Sequence, residues 1–260
     1  MKYSPRYRNI VTMVLMILIG ALASCGKQDA KSIASPISDK TDQLILVVAE
    51  SMDSAGAQLF RFERRQGNGW QSMAESVPAM IGKNGLGWGI GEHPEALGEI
   101  RKVEGDGKAP AGAFFLDSVF GFIPADSVAL KMPYLHVTEA LECVDDAKSR
   151  FYNRIVSKDT IAEVDWKSSE KMREIGTQYH LGITVRHNDA QLAGSGSCIF
   201  LHIWGGPGDS TIGCTAMDKD VLQRIVNWLD MSATPMLIQL TQVQYKTLRD
   251  SWQLPAIIVE

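Results

Sequence analysis

The chain has 260 residues, enough for one large domain or two small ones. It is 45% hydrophobic and 22% charged, which excludes wholesale disorder and a collagen-like polymer. The formal net charge is −4 and no run of basic residues occurs, so nucleic acid is not an expected partner. A surface that binds nucleic acid needs lysines and arginines to replace the counterions around phosphates.

Residues 1–24 have the layout of a secretory signal peptide. Three basic side chains precede an apolar run over 10–22, which is shorter than the roughly 20 residues that a transmembrane helix needs. The run ends at Leu22-Ala23-Ser24-Cys25, which resembles a bacterial lipobox. That resemblance implies that Cys25 is diacylated and becomes the first residue of a lipoprotein anchored to a membrane. The alternatives are an ordinary signal peptide or a short anchor with an incidental cysteine.

The position after Cys25 bears on where the protein is sorted. Gly26 stands there rather than Asp. By resemblance to the sorting rules of lipoproteins, this predicts the periplasmic face of the outer membrane. Residues 25–42 are rich in Lys, Ser and Asp and are predicted to be a flexible tether. Residues 43–260 show no internal repeat and no low-complexity boundary, so a single domain is expected there.

Most of the elements predicted in this domain are strands. The strand-like segments are 44–48, 59–62, 70–80, 181–185, 198–204, 236–240 and 256–259. Pro78 predicts that the third of these is an edge strand or ends at that point. Two helices are expected, a short one over 168–175 and an amphipathic one over 218–229 that begins at Asp218. The predicted fold class is therefore mainly β with few helices (α+β).

The densest chemistry lies between residues 197 and 217. A predicted strand carries His202, a loop rich in Gly and Pro follows, and Cys214 comes shortly before the amphipathic helix. A helix start favours a thiolate, and a nearby imidazole accepts a thiol proton. Together with the backbone amides around Gly213, these groups favour acyl transfer through a thioester. From the residues alone, a core histidine and a small buried cysteine are an equally good interpretation.

The segment Ser210-Thr211-Ile212-Gly213-Cys214, with His202 upstream, resembles a known signature. It is similar to the L,D-transpeptidase catalytic domain (YkuD) family, whose signature is a His, a spacer and then Ser/Thr-His-Gly-Cys. Residues 102–114 are similar to the family segment in which Thr/Ser-Pro-x-Gly precedes a strand, and the resemblance covers roughly residues 80–230. The sequence departs from the family in three ways. Ile212 replaces the second His, the spacer is shorter, and no basic residue follows Cys214.

The resemblance implies a single L,D-transpeptidase-like domain in the bacterial envelope, acting in cell-wall biogenesis or remodelling. The expected partners are peptidoglycan stem peptides, attacked at the carbonyl after a diamino acid, and the partner protein, if any, is unknown. Cys214 matches the nucleophile, His202 the general base and Gly213 the glycine before the nucleophile. Thr211 occupies the Ser/Thr position and, with Ser210, is expected to contact substrate.

The proposed chemistry requires no cofactor, and the sequence has no spaced set of ligands that predicts a metal. A stem-peptide hydrolase of the same fold (an L,D-carboxypeptidase or amidase) and a non-catalytic lipoprotein that binds peptidoglycan remain alternatives. Arg150 and Tyr152 follow two aspartates and are candidates to hold a stem carboxylate or amide, the alternative being an ordinary polar surface.

With Cys25 assigned to lipid and Cys214 to the nucleophile, Cys143 and Cys198 remain in an oxidising compartment. A disulfide between them is expected. A reduced, buried pair and an inhibitory bond between Cys198 and Cys214 are the alternatives.

Overall fold

The computed structural model describes residues 34–64, 69–94 and 98–258. The predicted signal peptide, Cys25 and the first part of the predicted tether lie outside these residues. Within the described ranges, neither α-helix combines the length and apolar composition needed to cross a bilayer.

The described residues form a mainly β structure, with 33% of the chain in strands and 14% in helices, which confirms the α+β class. The strands are β1 (Gln43–Ala49), β2 (Gly56–Glu63), β3 (Gln71–Ser72), β4 (Val77–Met80), β5 (Leu86–Trp88), β6 (Ala109–Gly121), β7 (Tyr134–His136), β8 (Leu141–Val144), β9 (Ile155–Ser157), β10 (Ser169–Lys171), β11 (Leu181–Val185), β12 (Phe200–Ile203), β13 (Thr215–Met217) and β14 (Met236–Thr241). The helices are α1 (Lys219–Trp228) and α2 (Gln242–Leu248).

Eight strands close into a ring. The order runs β1, β14, β6, β11, β12, β13, β4 and β2, and β2 pairs with β1 again. All seven residues of β1 are buried, which fits its continuous apolar sequence, since such a strand is covered on both faces. The main hydrophobic core gathers side chains from most of these strands and from both helices.

A second sheet of three strands has the order β10, β8, β9. A disulfide between Cys143 on β8 and Cys198, two residues before β12, ties this sheet to the ring, with the two Cα atoms 5.9 Å apart. Cys214 is the free cysteine of the described residues. The three cysteines pack with aromatic side chains in a second, smaller core between the ring and the small sheet.

The predicted helix over 168–175 is wrong. Residues 169–171 form β10, which pairs with β8 and is followed by a turn. Long-range contacts decide this conformation, because the Glu142 carboxylate accepts hydrogen bonds from the Trp166 indole (3.0 Å) and the Ser169 hydroxyl (2.6 Å). A short segment with weak helical periodicity is readily overridden by such pairing.

Two boundaries at the ends of the domain also differ from the prediction. Ile37 belongs to the main core and Thr41 is fully buried, so the packed fold begins inside the segment predicted as tether over 25–42. The predicted strand over 256–259 is irregular up to residue 258. The Tyr245 hydroxyl holds that tail instead, donating to Pro255 O (2.8 Å) and accepting from the Ile257 amide (3.1 Å).

Pro78 does not place β4 at an edge, since β4 lies between β2 and β13. The pairing with β13 involves only Met80 and Ala216, beyond the proline, and so leaves it outside that ladder. The amphipathic helix is confirmed as α1. The Asp218 carboxylate caps it by accepting from the amides of Asp220 (2.8 Å) and Val221 (3.3 Å).

Candidate active site

A cleft of about 200 Å³ opens where the loop before β13, the loop after β5 and the small sheet meet. Its lining contains the Cys214 thiol and five charged side chains. The residues that line it are Lys83, Lys102, Glu104, Gly105, Gly107, Asp145, Glu170, Ser197, Cys198, Ile199, Ile212, Gly213 and Cys214.

The Cys214 sulfur is held at the inner end of the loop that begins at Thr211. It accepts a hydrogen bond from the Phe200 amide (3.3 Å) and donates to Cys198 O (3.4 Å). The residue is 5% exposed, and burial raises the pKa of the thiol well above its usual range. The resting group is therefore a neutral thiol.

The expectation that a helix start favours a Cys214 thiolate is wrong. Strand β13 separates the cysteine from α1, and the first amides of that helix are capped by Asp218. The field at a helix end falls off within one turn, so it does not act on this sulfur.

His202 lies on β12 opposite Ala216 of the parallel strand β13. Its Nδ1 is 2.8 Å from Ile203 O. A carbonyl oxygen only accepts, so Nδ1 carries the proton and Nε2 keeps a free lone pair. Burial lowers the pKa of the ring, which keeps the imidazole neutral and able to accept a proton.

Among the described residues, no hydrogen bond joins the His202 ring to the Cys214 thiol. Both side chains instead adjoin Tyr179, whose ring centroid is 5.4 Å from that of His202. The Tyr179 hydroxyl donates a 2.5 Å hydrogen bond to Glu170, and Tyr179 and Cys214 belong to the same small core. Catalytic hydrogen bonds are often long before substrate binds, so this geometry remains compatible with a His202 base.

Thr211 and Gly213, the predicted site residues next to Cys214, stabilise the turn that holds it. The Thr211 hydroxyl donates to Cys214 O (2.6 Å) and accepts from the Gly213 amide (3.1 Å), so both groups are engaged within the turn. A Cβ added at Gly213 would lie 3.3 Å from the carbonyl oxygen of Lys108, which is tighter than ordinary packing. The predictions of a substrate contact for Thr211 and of an oxyanion donor at the Gly213 amide are therefore not supported by this geometry.

Three further predicted substrate contacts lie away from the cleft lining. Ser210 is exposed in the loop, and Arg150 is held outside by Asp165 (3.6 Å) and by the carbonyl oxygen of Glu163 (3.1 Å). Tyr152 is buried behind the cleft and donates a 2.5 Å hydrogen bond to the Glu104 carboxylate. Tyr152 thus orients a residue that lines the site instead of facing a ligand itself.

The charged groups of the cleft differ in how well they are paired. Glu104 also accepts from the Ser197 hydroxyl (2.7 Å), and the buried Lys102 ammonium pairs with Asp106 at 2.6 Å. Asp145 is different, because its buried Oδ1 has no hydrogen-bond partner within the part of the chain that the structure describes. An unpaired buried carboxylate oxygen is costly, which marks this wall as a place where a ligand's donor group would be stabilised.

Comparisons with models of protein families, with curated proteins and with solved structures gave no match. The family resemblance therefore stands on the quoted residues alone. Within the described residues, no group of three or more His, Cys, Asp or Glu side chains has an arrangement that would hold a metal ion.

Proposed function

We propose that this protein is a cysteine-dependent acyltransferase of the L,D-transpeptidase type that acts on peptidoglycan stem peptides. The observation that carries the proposal is the free thiol of Cys214 at the cleft, in a loop that resembles the family signature, with a neutral, oriented imidazole nearby. A nucleophile, a base and a fixed orienting group are the parts that nucleophilic catalysis requires.

In the proposed reaction, the His202 ring takes the thiol proton as the sulfur attacks an amide carbonyl of the stem peptide. The C–N bond then breaks, the leaving amine takes the proton from the imidazolium, and the acyl group remains on Cys214 as a thioester. A second amine resolves the thioester and gives a cross-link or an attached protein. Because both His202 and Cys214 are neutral at rest, charge develops only during the attack.

The charge of the cleft supports the substrate class. The carboxylates of Glu104, Asp145 and Glu170 line it together with the ammonium groups of Lys83 and Lys102. Lys102 is paired with Asp106, whereas a buried oxygen of Asp145 has no partner among the described residues. The diamino acid of a stem peptide carries an ammonium group, which is the complement of such a wall.

The residue after the nucleophile favours hydrolysis as a second candidate. Thr215 stands where members of the L,D-transpeptidase family often have a basic residue, and its hydroxyl is buried against Gln239 at 2.7 Å. An acceptor stem therefore lacks a cation at this position, and water would resolve the thioester in a stem-peptide hydrolase.

Incubation with purified sacculi, followed by mass spectrometry of the muropeptides, tests the proposal. New cross-links or protein-linked stems support transfer, whereas shortened stems with no new linkage support the hydrolase. In parallel, a carbapenem is expected to add once to the protein, on the Cys214 peptide, because an activated thiol opens its ring. A protein that changes no muropeptide and takes up no carbapenem would be a binding protein, and the proposal of catalysis would be wrong.

We also propose that Cys25 carries a lipid anchor that holds the protein at the periplasmic face of the outer membrane. Cys25→Ser is expected to move the protein from the membrane fraction to the soluble periplasmic fraction on immunoblots. Ser32→Ala is the matched control and is expected to stay with the membrane. A processed Cys25→Ser protein that still sediments with membranes would contradict the anchor.

A further inference from the structure

Cys198 has an uncommon backbone conformation beside the Cys214 sulfur. Its φ angle is 54°, in the left-handed region that residues other than glycine rarely adopt. In this conformation its carbonyl oxygen accepts the hydrogen bond from the Cys214 thiol (3.4 Å), while the Phe200 amide donates to the same sulfur (3.3 Å). Such a backbone persists where surrounding contacts hold it, and it occurs often at functional sites. The groups that hold Cys198 therefore set the direction in which the thiol proton points.

The small sheet holds Cys198 at two points. The Cys143 sulfur on β8 bonds to its side chain. The Asn153 Oδ1, in the turn between β8 and β9, accepts from its amide at 2.9 Å. The Asn153 amide donates in turn to the carbonyl oxygen of Val144 (2.8 Å), the residue that follows Cys143 on β8. Both anchors of Cys198 thus come from the same end of one hairpin.

Three partners determine the orientation of the Asn153 side chain. Its Nδ2 donates to the carbonyl oxygens of His187 (2.8 Å) and Asn188 (2.9 Å), and its Oδ1 faces the Cys198 amide. A carbonyl oxygen only accepts and an amide N–H only donates, so a side chain turned by 180° would oppose like groups at all three contacts. Asn153 itself has a φ of 59°, which asparagine adopts more readily than most residues. The acceptor for the Cys198 amide is therefore fixed in place.

We propose that Asn153 is a positioning residue for Cys214, because by fixing the Cys198 peptide it holds the thiol proton on the Cys198 carbonyl oxygen and away from the His202 base. The inference rests on the proposed role of Cys214 as nucleophile. The described lining of the Cys214 cleft does not include Asn153, which therefore acts through Cys198. The resting thiol is paired with a carbonyl, and its proton becomes available to His202 when that hydrogen bond breaks.

The Cys198 carbonyl acts on the thiol together with the titratable groups around it. Those groups, in the cleft and in the small core, are Lys83, Lys102, Glu104, Asp145, Glu170, Tyr179 and His202. Burial is the main cause that raises the pKa of the Cys214 thiol, the Glu170 carboxylate adds to it, and the Lys102 ammonium opposes it. A hydrogen bond donated by the thiol stabilises its neutral form, so loss of the Cys198 acceptor favours the thiolate. A change at Asn153 removes that acceptor and leaves the charged groups where they are.

The S–H stretching band in the infrared tests the positioning without any substrate. A donated hydrogen bond weakens the S–H bond and lowers the frequency of this band. The difference spectrum between the full-length wild type and Cys214→Ser isolates the band of Cys214. In Asn153→Gly we expect the band to move to higher frequency. Glycine keeps the positive φ at this position but offers no acceptor to the Cys198 amide.

Asn188→Gly is the matched control. Asn188 also has a positive φ (55°), and its side chain is hydrogen-bonded to the backbone of Leu192 and Gly196. These contacts end two residues before Cys198, so the S–H band is expected to stay at the wild-type frequency. Equal shifts in Asn153→Gly and Asn188→Gly would give Asn153 a purely structural role and overturn the proposal, as would a band that moves in neither.

Asn153→Asp is the conservative variant. It keeps an oxygen acceptor for the Cys198 amide and loses the two bonds that the Asn153 Nδ2 donates. We expect the S–H band to stay at the wild-type frequency. If Asn153→Gly does not fold by circular dichroism, this variant decides, because a shifted band despite the retained acceptor would overturn the proposal.

Alkylation of Cys214 by iodoacetamide is the second measurement, followed at pH 8 on the Cys214 peptide by mass spectrometry. Asn153→Gly is expected to react about three- to tenfold faster than the wild type, equivalent to about 0.5–1 pKa unit in favour of the thiolate. Asn188→Gly and Asn153→Asp should react like the wild type. An unchanged or slower rate in Asn153→Gly would overturn the proposal. The muropeptide experiment is separate, so a shifted band in Asn153→Gly with muropeptides that the wild type leaves unchanged would refute the proposed function and leave the positioning of the thiol standing.

Discussion

Cys214→Ala is expected to abolish both the change in muropeptides and the labelling by a carbapenem. The reason is chemical, because alanine has no group that can form a thioester. Removal of the sulfur also leaves the Phe200 amide without its acceptor in a buried place. The free energy of unfolding should therefore fall by about 1–3 kcal/mol, the usual range for an unsatisfied buried donor. Activity is measured on sacculi and stability by urea unfolding.

Cys214→Ser is the matched control for packing, since it keeps a small side chain that can still accept from the Phe200 amide. It is expected to restore most of the lost stability while remaining inactive or nearly so, because a hydroxyl in this site is a far weaker nucleophile. Wild-type turnover by either variant would show that the sulfur does not react. A collapse of the circular dichroism spectrum in both variants would show instead that Cys214 is needed for folding.

The strand that carries His202 illustrates what the sequence can predict. Alternation along residues 198–204 predicts that Phe200 and His202 share a face, and both side chains contact Tyr179 in the structure. The intervening Leu201 and Ile203 belong to the main core. Alternation with a period of two residues is a local property of the chain, so it can be recognised from the sequence without knowledge of the rest of the fold.

The acidic wall of the cleft shows what the sequence could not predict. Glu170 and Tyr179 lie in a segment interpreted as a short helix and its surroundings, where neither residue has a motif. Their meeting with Cys214 depends on the pairing of β10 with β8 and on the packing of the small sheet against the ring. Contacts between residues so distant in sequence leave no local periodicity.

The double variant Cys143→Ala/Cys198→Ala is expected to lose roughly 4 kcal/mol of unfolding free energy. The bond closes a loop between residues 55 positions apart, and the chain-entropy relation gives roughly that value for a loop of this length. The double variant is preferable to either single one. A lone Cys198 thiol would lie beside Cys214, whose sulfur already donates to Cys198 O, and the two could form the inhibitory bond.

The companion measurement is urea unfolding of the wild type with and without a reductant. The reductant breaks the disulfide but leaves both sulfur atoms in the small core. The reduced wild type should lose nearly as much stability as the double variant, and the cavity left by two sulfurs accounts for the remainder. Equal unfolding midpoints for oxidised and reduced protein would contradict the stabilising role. Peptide mapping that finds free thiols at both positions in periplasmic protein would contradict the bond itself.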